Sequence, residues 1–129
     1  MERLIFCFLF IIFSINVQAD VGLCKGLSKQ TELNNCANNL LVKTNEKLNK
    51  VYLNYLSELK ADDQLKLKEA QKLWVQFREK DCSFETSSVK KGSMYPYVLS
   101  SCLVNRSEKR ILELENMANC KNGTEPSCV

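Results

Sequence analysis

The chain has 129 residues, a formal net charge of +3 and basic and acidic side chains mixed along its length. That length fits one domain, and the mixed charge excludes the dense basic patch with which nucleic-acid-binding proteins contact phosphates. The chain contains no histidine, which excludes Ser-His-Asp and Cys-His catalysis and the His-rich sites of most metallohydrolases. We therefore predict a protein that is not an enzyme and that uses no cofactor and no metal.

The N-terminal segment has the pattern of a secretory signal. Arg3 precedes an apolar run from Leu4 to Ile15, which is shorter than the roughly 20 residues that span a bilayer. Val17-Gln18-Ala19 fits the small-x-small pattern at which signal peptidases cleave. We predict that residues 1–19 are removed and that the mature protein is exported, to the periplasm or out of the cell.

Cysteine usage also predicts an oxidising compartment. One of the seven cysteines, Cys7, lies in the predicted signal, and six remain in the mature chain: Cys24, Cys36, Cys82, Cys102, Cys120 and Cys128. An even number in a short exported chain predicts a disulfide framework. Bulky Leu23 stands before Cys24 where a lipobox usually has a small residue, so we predict no lipid anchor and no stable membrane attachment.

The first predicted helix runs from about Ser28 to Leu59, because apolar residues recur on one face and neither Gly nor Pro interrupts them. Ser28 or Thr31 is the expected N-cap. Thr44 is a polar residue on the apolar seam.

The second predicted helix follows a short polar break at residues 60–63, so it forms an antiparallel hairpin with the first. Gln71, Trp74, Arg78 and Cys82 recur at i, i+3, i+7 and i+11 and share one narrow stripe. An apolar arc beside this stripe is the predicted core face: Leu67, Ala70, Leu73, Trp74, Phe77 and Phe84. In this interpretation Cys82 is half of a structural disulfide, and Gln71 and Arg78 bond to neighbouring polar groups.

The third predicted helix runs from about Tyr95 to Met117 and completes an all-α, three-helix antiparallel bundle with a long first helix. Arg106 and Arg110 fall on its apolar face, where an unpaired guanidinium would be costly to bury. Three alternatives follow: Asp81 pairs with one of the two arginines, the face is an open groove, or the helix kinks or stops near residue 105.

Hairpin geometry favours two disulfides, Cys82–Cys102 and Cys24–Cys36, and leaves Cys36–Cys82 as the rival pairing. A Cys120–Cys128 bridge closes a short loop with turn-forming residues and therefore has a low cost in chain entropy. We predict a helical domain over residues 20–118 and a disulfide-closed tail over residues 119–129.

Several short motifs occur together in a fixed order. They are Gln30-x-Glu32-Leu33-Asn34-x-Cys36, Leu48-Asn49-x-x-Tyr52, Gln71-x-x-Trp74-x-x-Phe77-Arg78-x-x-x-Cys82, Gly92-Ser93, Cys102 and Arg110-x-x-x-Leu114. In this combination the chain resembles the LprI-type lysozyme-inhibitor family of exported bacterial proteins over about residues 24–115. The chain departs from the family pattern at Thr44, where an Asp is usual, in its extra C-terminal tail and in lacking the lipobox of the lipoprotein members.

The resemblance implies a small, helical, disulfide-bonded protein that inhibits lysozyme by protein–protein binding, and we expect it to be a monomer. Family-motif residues are the candidate binding residues that the resemblance implies: Glu32, Asn34, Gln71, Trp74, Arg78 and Arg110. The alternative is a non-catalytic interaction or structural module of the cell envelope. Carboxylate-pair catalysis remains a third and minor alternative.

Overall fold

The computed structural model describes residues 24–120, which form three α-helices. Helix α1 is Gln30–Glu58, α2 is Ala61–Glu85 and α3 is Tyr95–Ala118. A short 3-10 helix at Ser87–Val89 lies in the connection between α2 and α3, and the described residues contain no strand. The predicted all-α bundle with a long first helix is confirmed.

The helix starts differ from the caps expected from sequence. Lys29, Lys60 and Met94 occupy the N-cap positions, and none of them caps the helix with a side-chain hydrogen bond. Two aspartates lie inside the first turn of α2 instead, where a carboxylate interacts favourably with the helix dipole. The expectation that Ser28 or Thr31 caps α1 is therefore wrong.

The helices alternate in direction, so α1 and α3 run the same way and α2 runs against them. At one end Asn34 in α1 contacts Ser93 just before α3, and at the other Tyr55 of α1 shares a core with Leu114 of α3. The interface between α1 and α3 is the most extensive of the three, and α2 packs less closely against both.

The buried apolar residues form two clusters along the bundle. The larger cluster lies toward the ends of α1 and α3 and consists of Leu48, Tyr55, Leu67, Ile111 and Leu114. The smaller cluster consists of Cys82, Cys102 and Leu103, with Leu41 and Leu99 packed against it.

Two disulfides join the described cysteines, Cys24–Cys36 and Cys82–Cys102, with Cα–Cα distances of 6.0 and 5.7 Å. Both favoured pairings are confirmed, and the rival Cys36–Cys82 pairing is wrong. The first bridge fastens the N-terminal lead to α1, and the second joins α2 to α3.

Several sequence-based predictions lie outside the described residues. Cys120 is disulfide-bonded, but its predicted partner Cys128 and the rest of the tail are not among the described residues. The signal at residues 1–19 and its cleavage after Ala19 also lie outside them. Within residues 24–120, no helix is long and apolar enough to cross a membrane.

The core face predicted for α2 is largely wrong. Leu67 is buried and Trp74 is half-buried, but Ala70, Leu73, Phe77 and Phe84 are exposed. The helix is rotated so that its polar stripe, not its apolar arc, faces α1 and α3.

Candidate functional site

The inward stripe of α2 forms the most polar part of the bundle interior. Gln71, Arg78 and Cys82 are all buried, and Cys82 is bonded to α3 through its disulfide. The spacing of these residues places them on one side of α2, and the Cys82–Cys102 bond holds that side against α3. The bridge therefore determines which face of α2 points inward.

Arg78 connects all three helices. Its Nη1 donates to Asn45 Oδ1 in α1 at 2.9 Å and to Ser107 Oγ in α3 at 2.7 Å. Its Nη2 donates to Glu79 Oε1 at 2.7 Å. Ser107 is itself buried and donates to the Leu103 carbonyl, so its hydroxyl uses both its donor and an acceptor site. Only Arg78 Nε is buried with no hydrogen-bond partner among the described residues.

Trp74 lies near two guanidinium groups. The Arg78 guanidinium carbon is 5.3 Å from the centre of the Trp74 ring, and that of Arg110 is 5.7 Å away. These distances are within the range of cation–π attraction. Arg110 Nε also donates to Gln71 Oε1 at 3.1 Å, and its Nη1 donates to Glu113 at 3.0 Å. We call Gln71, Trp74, Arg78 and Arg110 the arginine–tryptophan cluster.

Arg106 is paired with carboxylates of α2 and does not face an open groove. Its Nε donates to Asp81 Oδ2 at 2.8 Å, and its Nη2 donates to Glu85 Oε2 at 2.8 Å. The hydrogen bond to Asp81 is the main reason that the pKa of Arg106 is raised above its ordinary value. The alternative in which Asp81 pairs with one of the two arginines is confirmed, and that arginine is Arg106. The open-groove alternative and a break near residue 105 are wrong, because α3 is continuous and both arginines are bonded.

The two remaining candidate residues lie elsewhere, at the start of α1. Glu32 is exposed and 3.5 Å from Lys29 Nζ. Asn34 accepts a hydrogen bond from Gln30 and donates to the Ser93 carbonyl at 3.0 Å. Asn34 therefore ties the start of α1 to the loop before α3, whereas Glu32 is available to a partner.

Comparison with known proteins places this bundle in a family. The family model described as "Lysozyme inhibitor LprI" matches residues 24–114, which is nearly the whole described range. The chain belongs to the LprI family. An uncharacterized protein of Rhizobium meliloti (strain 1021) is 28% identical over 115 residues, covering 79% of this chain and 83% of that protein. No solved structure matches the chain.

Within this LprI fold, four of the six candidate residues form one interior cluster. Their polar groups bond to one another, to neighbouring helices or to carboxylates at the rim. Such a network holds α2 in a single orientation against α1 and α3, because misplacing it would leave charged groups buried without partners. Glu32, which pairs with Lys29 at the surface, is the exposed residue among the six.

Sequence reasoning missed two members of this LprI network, Asn45 and Ser107. Each accepts a hydrogen bond from Arg78, and Ser107 does so from the buried face of α3. The sequence feature that could have identified Ser107 as an interior residue is its spacing. It lies four positions after buried Leu103 and four before buried Ile111. A buried hydroxyl on that row must be hydrogen-bonded, and it can bond to its own helix, to another helix or, like Ser107, to both.

Thr44, where the resemblance implies an Asp, is buried in this chain. Thr44 lies in α1, is buried and donates from its hydroxyl to the Leu40 carbonyl at 2.9 Å. The neighbouring residue, Asn45, is the one that bonds to Arg78. The Thr44 hydroxyl thus hydrogen-bonds within its own helix, and the residue adds no charge to the interior.

The part of the LprI bundle that the structure describes has oxidised cysteines and hydrogen-bonded guanidinium groups in its interior. The four cysteines of the two bridges are oxidised, and no group of three or more acidic residues or cysteines there could hold a metal ion. The guanidinium groups of the interior are bonded to acceptors. What the geometry provides is a stiff body with defined surfaces.

Proposed function

We propose that this LprI-family chain is an exported inhibitor that binds lysozyme as a rigid body. The observation that carries this proposal is the family match over residues 24–114, on a bundle whose second helix is held by a disulfide and a buried arginine. Rigidity favours binding because little conformational entropy is lost when the complex forms.

Two described disulfides support export. Such bonds form and persist in oxidising compartments and are rare in the cytosol. The apolar run near the N-terminus has the pattern of a secretory signal. The protein would therefore be in the periplasm or outside the cell, where lysozymes attack the wall.

We assign the contact with a basic lysozyme to the exposed carboxylates of α1, which lie beside exposed Lys43, Lys47 and Lys50. A net charge of +3 gives no long-range attraction to a basic protein, so binding must use local acidic residues. Glu32 and Glu46 are exposed on α1, and apolar Val42 is exposed between them. Carboxylates around an apolar contact provide the charge complementarity and the desolvated centre that protein interfaces use.

The direct test is to titrate the purified, oxidised protein into lysozymes acting on cell walls. We expect the rate of wall lysis to fall as the inhibitor concentration rises to about 10 μM, the range of a moderate interface. No loss of rate with several lysozyme types would contradict inhibition. The envelope-module alternative would then account better for the fold.

Charge reversal on α1 tests the proposed surface separately. The paired change Glu32→Lys and Glu46→Lys should weaken inhibition roughly tenfold or more, mainly through slower association. Asp62→Lys is the control, because Asp62 is also exposed but lies on α2. Equal inhibition by the wild type and the α1 double variant would reject this surface while leaving inhibition itself in place.

A further inference from the structure

The outward side of α2 is an apolar strip that nothing in residues 24–120 covers. Leu65, Leu73, Phe77 and Phe84 are 66%, 56%, 61% and 81% exposed. Single exposed apolar residues are common, but a row of them along one helix marks an interaction surface. These four residues define what we call the α2 strip.

The charges beside the α2 strip make it complementary to itself. Glu69 and Lys80 are exposed on the same side of α2, and neither forms an ion pair within the described residues. In a symmetric antiparallel pair of helices, two residues meet when they are equally far from the two-fold axis. An axis between Trp74 and Val75 brings Lys80 opposite Glu69 of the second copy.

The same register also pairs the apolar ends of the strip. With the axis between residues 74 and 75, Phe84 meets Leu65 of the second copy, and the symmetry makes each contact occur twice. Leu73 and Phe77 lie close to the axis on both copies. In this one register, Phe84 and Leu65 at the ends of the strip contact each other across the interface. Two ion pairs between Lys80 and Glu69 form between these contacts.

The charges around the strip fit a second copy better than a basic lysozyme. The exposed lysines of α2, Lys66, Lys72 and Lys80, alternate with the exposed glutamates Glu69 and Glu79. Charges of both signs give a basic partner no net attraction, but a second copy in the antiparallel register places a lysine against a glutamate. The C-terminal residues 121–129 contain one large apolar side chain, Val129, and offer little to cover the strip.

We propose that the α2 strip is a homodimer interface in which two copies pair α2 against α2, antiparallel, about a two-fold axis between Trp74 and Val75. This proposal is independent of lysozyme inhibition, because the outward face of α1 is not part of the strip. It replaces the expected monomer.

The size of the surface sets the expected strength. Helix α2 has 25 residues and is therefore about 37 Å long. One face of one helix buries less than the roughly 800 Å² per partner of a standard stable interface. We expect a reversible dimer with a dissociation constant on the order of micromolar.

Sedimentation velocity of the oxidised protein across concentrations from about 1 μM to about 500 μM tests the proposal. The expected result is a mass that rises from one chain to two chains. A mass of one chain throughout would overturn the dimer. Loss of lysozyme inhibition would not bear on this result, so the two proposals fail separately.

Substitutions on the strip test the interface and the register. Phe84→Ser and Phe77→Ser should each raise the dissociation constant about tenfold or more, while circular dichroism shows an unchanged fold because both side chains are already exposed. Leu53→Ser is the matched control, since Leu53 is 50% exposed on α1. A dimer insensitive to both Phe substitutions would overturn this interface.

A charge-reversal cycle decides the register. Lys80→Glu alone and Glu69→Lys alone should each weaken the dimer, because each places two like-charge contacts across the axis. The double variant restores opposite charges and should recover most of the wild-type affinity. Failure of the double variant to recover would overturn the register with the axis between Trp74 and Val75.

Discussion

The two faces of α2 reverse the usual distribution of polar and apolar residues. The face toward α1 and α3 carries an amide, a guanidinium and a half-cystine, whereas the opposite face carries two Phe and two Leu side chains. Burial of the polar face is possible because Asn45 and Ser107 accept hydrogen bonds from Arg78. Exposure of the apolar face is costly unless another surface covers it. The contrast indicates that one face of α2 builds the fold and the other is available for association.

Removing Arg78 should produce the largest loss of stability. Arg78→Ala leaves Asn45 and Ser107 without their donor and opens a void beside Trp74, so we expect a loss of about 3–5 kcal/mol in the free energy of unfolding. Urea denaturation without reductant measures it. Lys68→Ala on an exposed position of the same helix is the control and should change stability by less than about 0.5 kcal/mol.

A loss below about 1 kcal/mol for Arg78→Ala would contradict the comparison of the two faces. It would mean that the inward polar stripe is hydrated and contributes little to holding α2 in place.

Removing the bridge between α2 and α3 should have the next largest effect. Cys82→Ala with Cys102→Ala opens a loop of sequence separation 20, which corresponds to a loss of about 3 kcal/mol. The Cys24 and Cys36 double variant should cost less, because its bridge fastens only the lead before α1 and that lead can detach without global unfolding. Equal losses for the two double variants would contradict the orienting role of Cys82.

The titration of Tyr55 should have a smaller effect on the free energy of unfolding, and that effect should be confined to alkaline pH. Burial, followed by the nearby charges of Asp63 and Glu58, raises the pKa of Tyr55 above its ordinary value of 10.0. The unfolded chain therefore loses this proton at lower pH than the folded protein does. Stability due to this group is fully present below pH 10.0 and is lost as the pH rises from there through the folded-state pKa.

Thermal or urea unfolding across neutral and alkaline pH tests the titration of Tyr55. Tyr55→Phe should flatten the alkaline decline relative to wild type. Tyr52→Phe, a half-buried neighbour on α1, is the matched control and should leave the decline in place. An identical alkaline slope for Tyr55→Phe and wild type would contradict the assignment.

The outward face of α2 should give the smallest effect on folding. Phe84→Ser removes a side chain that is already exposed, so the free energy of unfolding at low protein concentration should change by less than about 0.5 kcal/mol. Urea denaturation in the concentration range where sedimentation shows single chains measures it. A loss above about 2 kcal/mol would place Phe84 in the folding core, contrary to the structure.

The number, order and approximate limits of the helices could be predicted from sequence because helical periodicity is local. The orientation of α2 could not, since hydrophobicity alone favours burying Phe77 and Phe84. What decides the orientation is non-local: the bond from Cys82 to Cys102 and the hydrogen bonds from Arg78 to two other helices. The stripe that contains Gln71, Trp74, Arg78 and Cys82 was visible in the sequence. Its partners on α1 and α3 were not.

For the candidate site too, the residues could be predicted from sequence but most of their arrangement could not. A pair of Asp81 with Arg106 or Arg110 followed from the cost of an isolated buried charge, and the structure contains the pair with Arg106. The family-motif residues were identified as a group, but their separation into an interior cluster and an exposed Glu32 required the packed bundle. Thr44 shows why the packed bundle was needed. Its hydroxyl bonds to its own helix, and whether such a residue bonds to its own helix or to a neighbouring helix depends on the distance between the helices.

Because both described bridges lie near one end of the bundle, the two ends should open under different treatments. Cys36 and Cys102 both lie in the first half of their helices, whereas Tyr55, Ile111 and Leu114 hold the far end through apolar contact. A reductant would loosen the first end, whereas at the second end it would break only the bond of Cys120 beyond α3 and leave the apolar contacts in place. Cooling and urea, which weaken apolar contact, would open the second end while the bridged end stayed closed. Hydrogen exchange under each condition should therefore begin at opposite ends of the molecule.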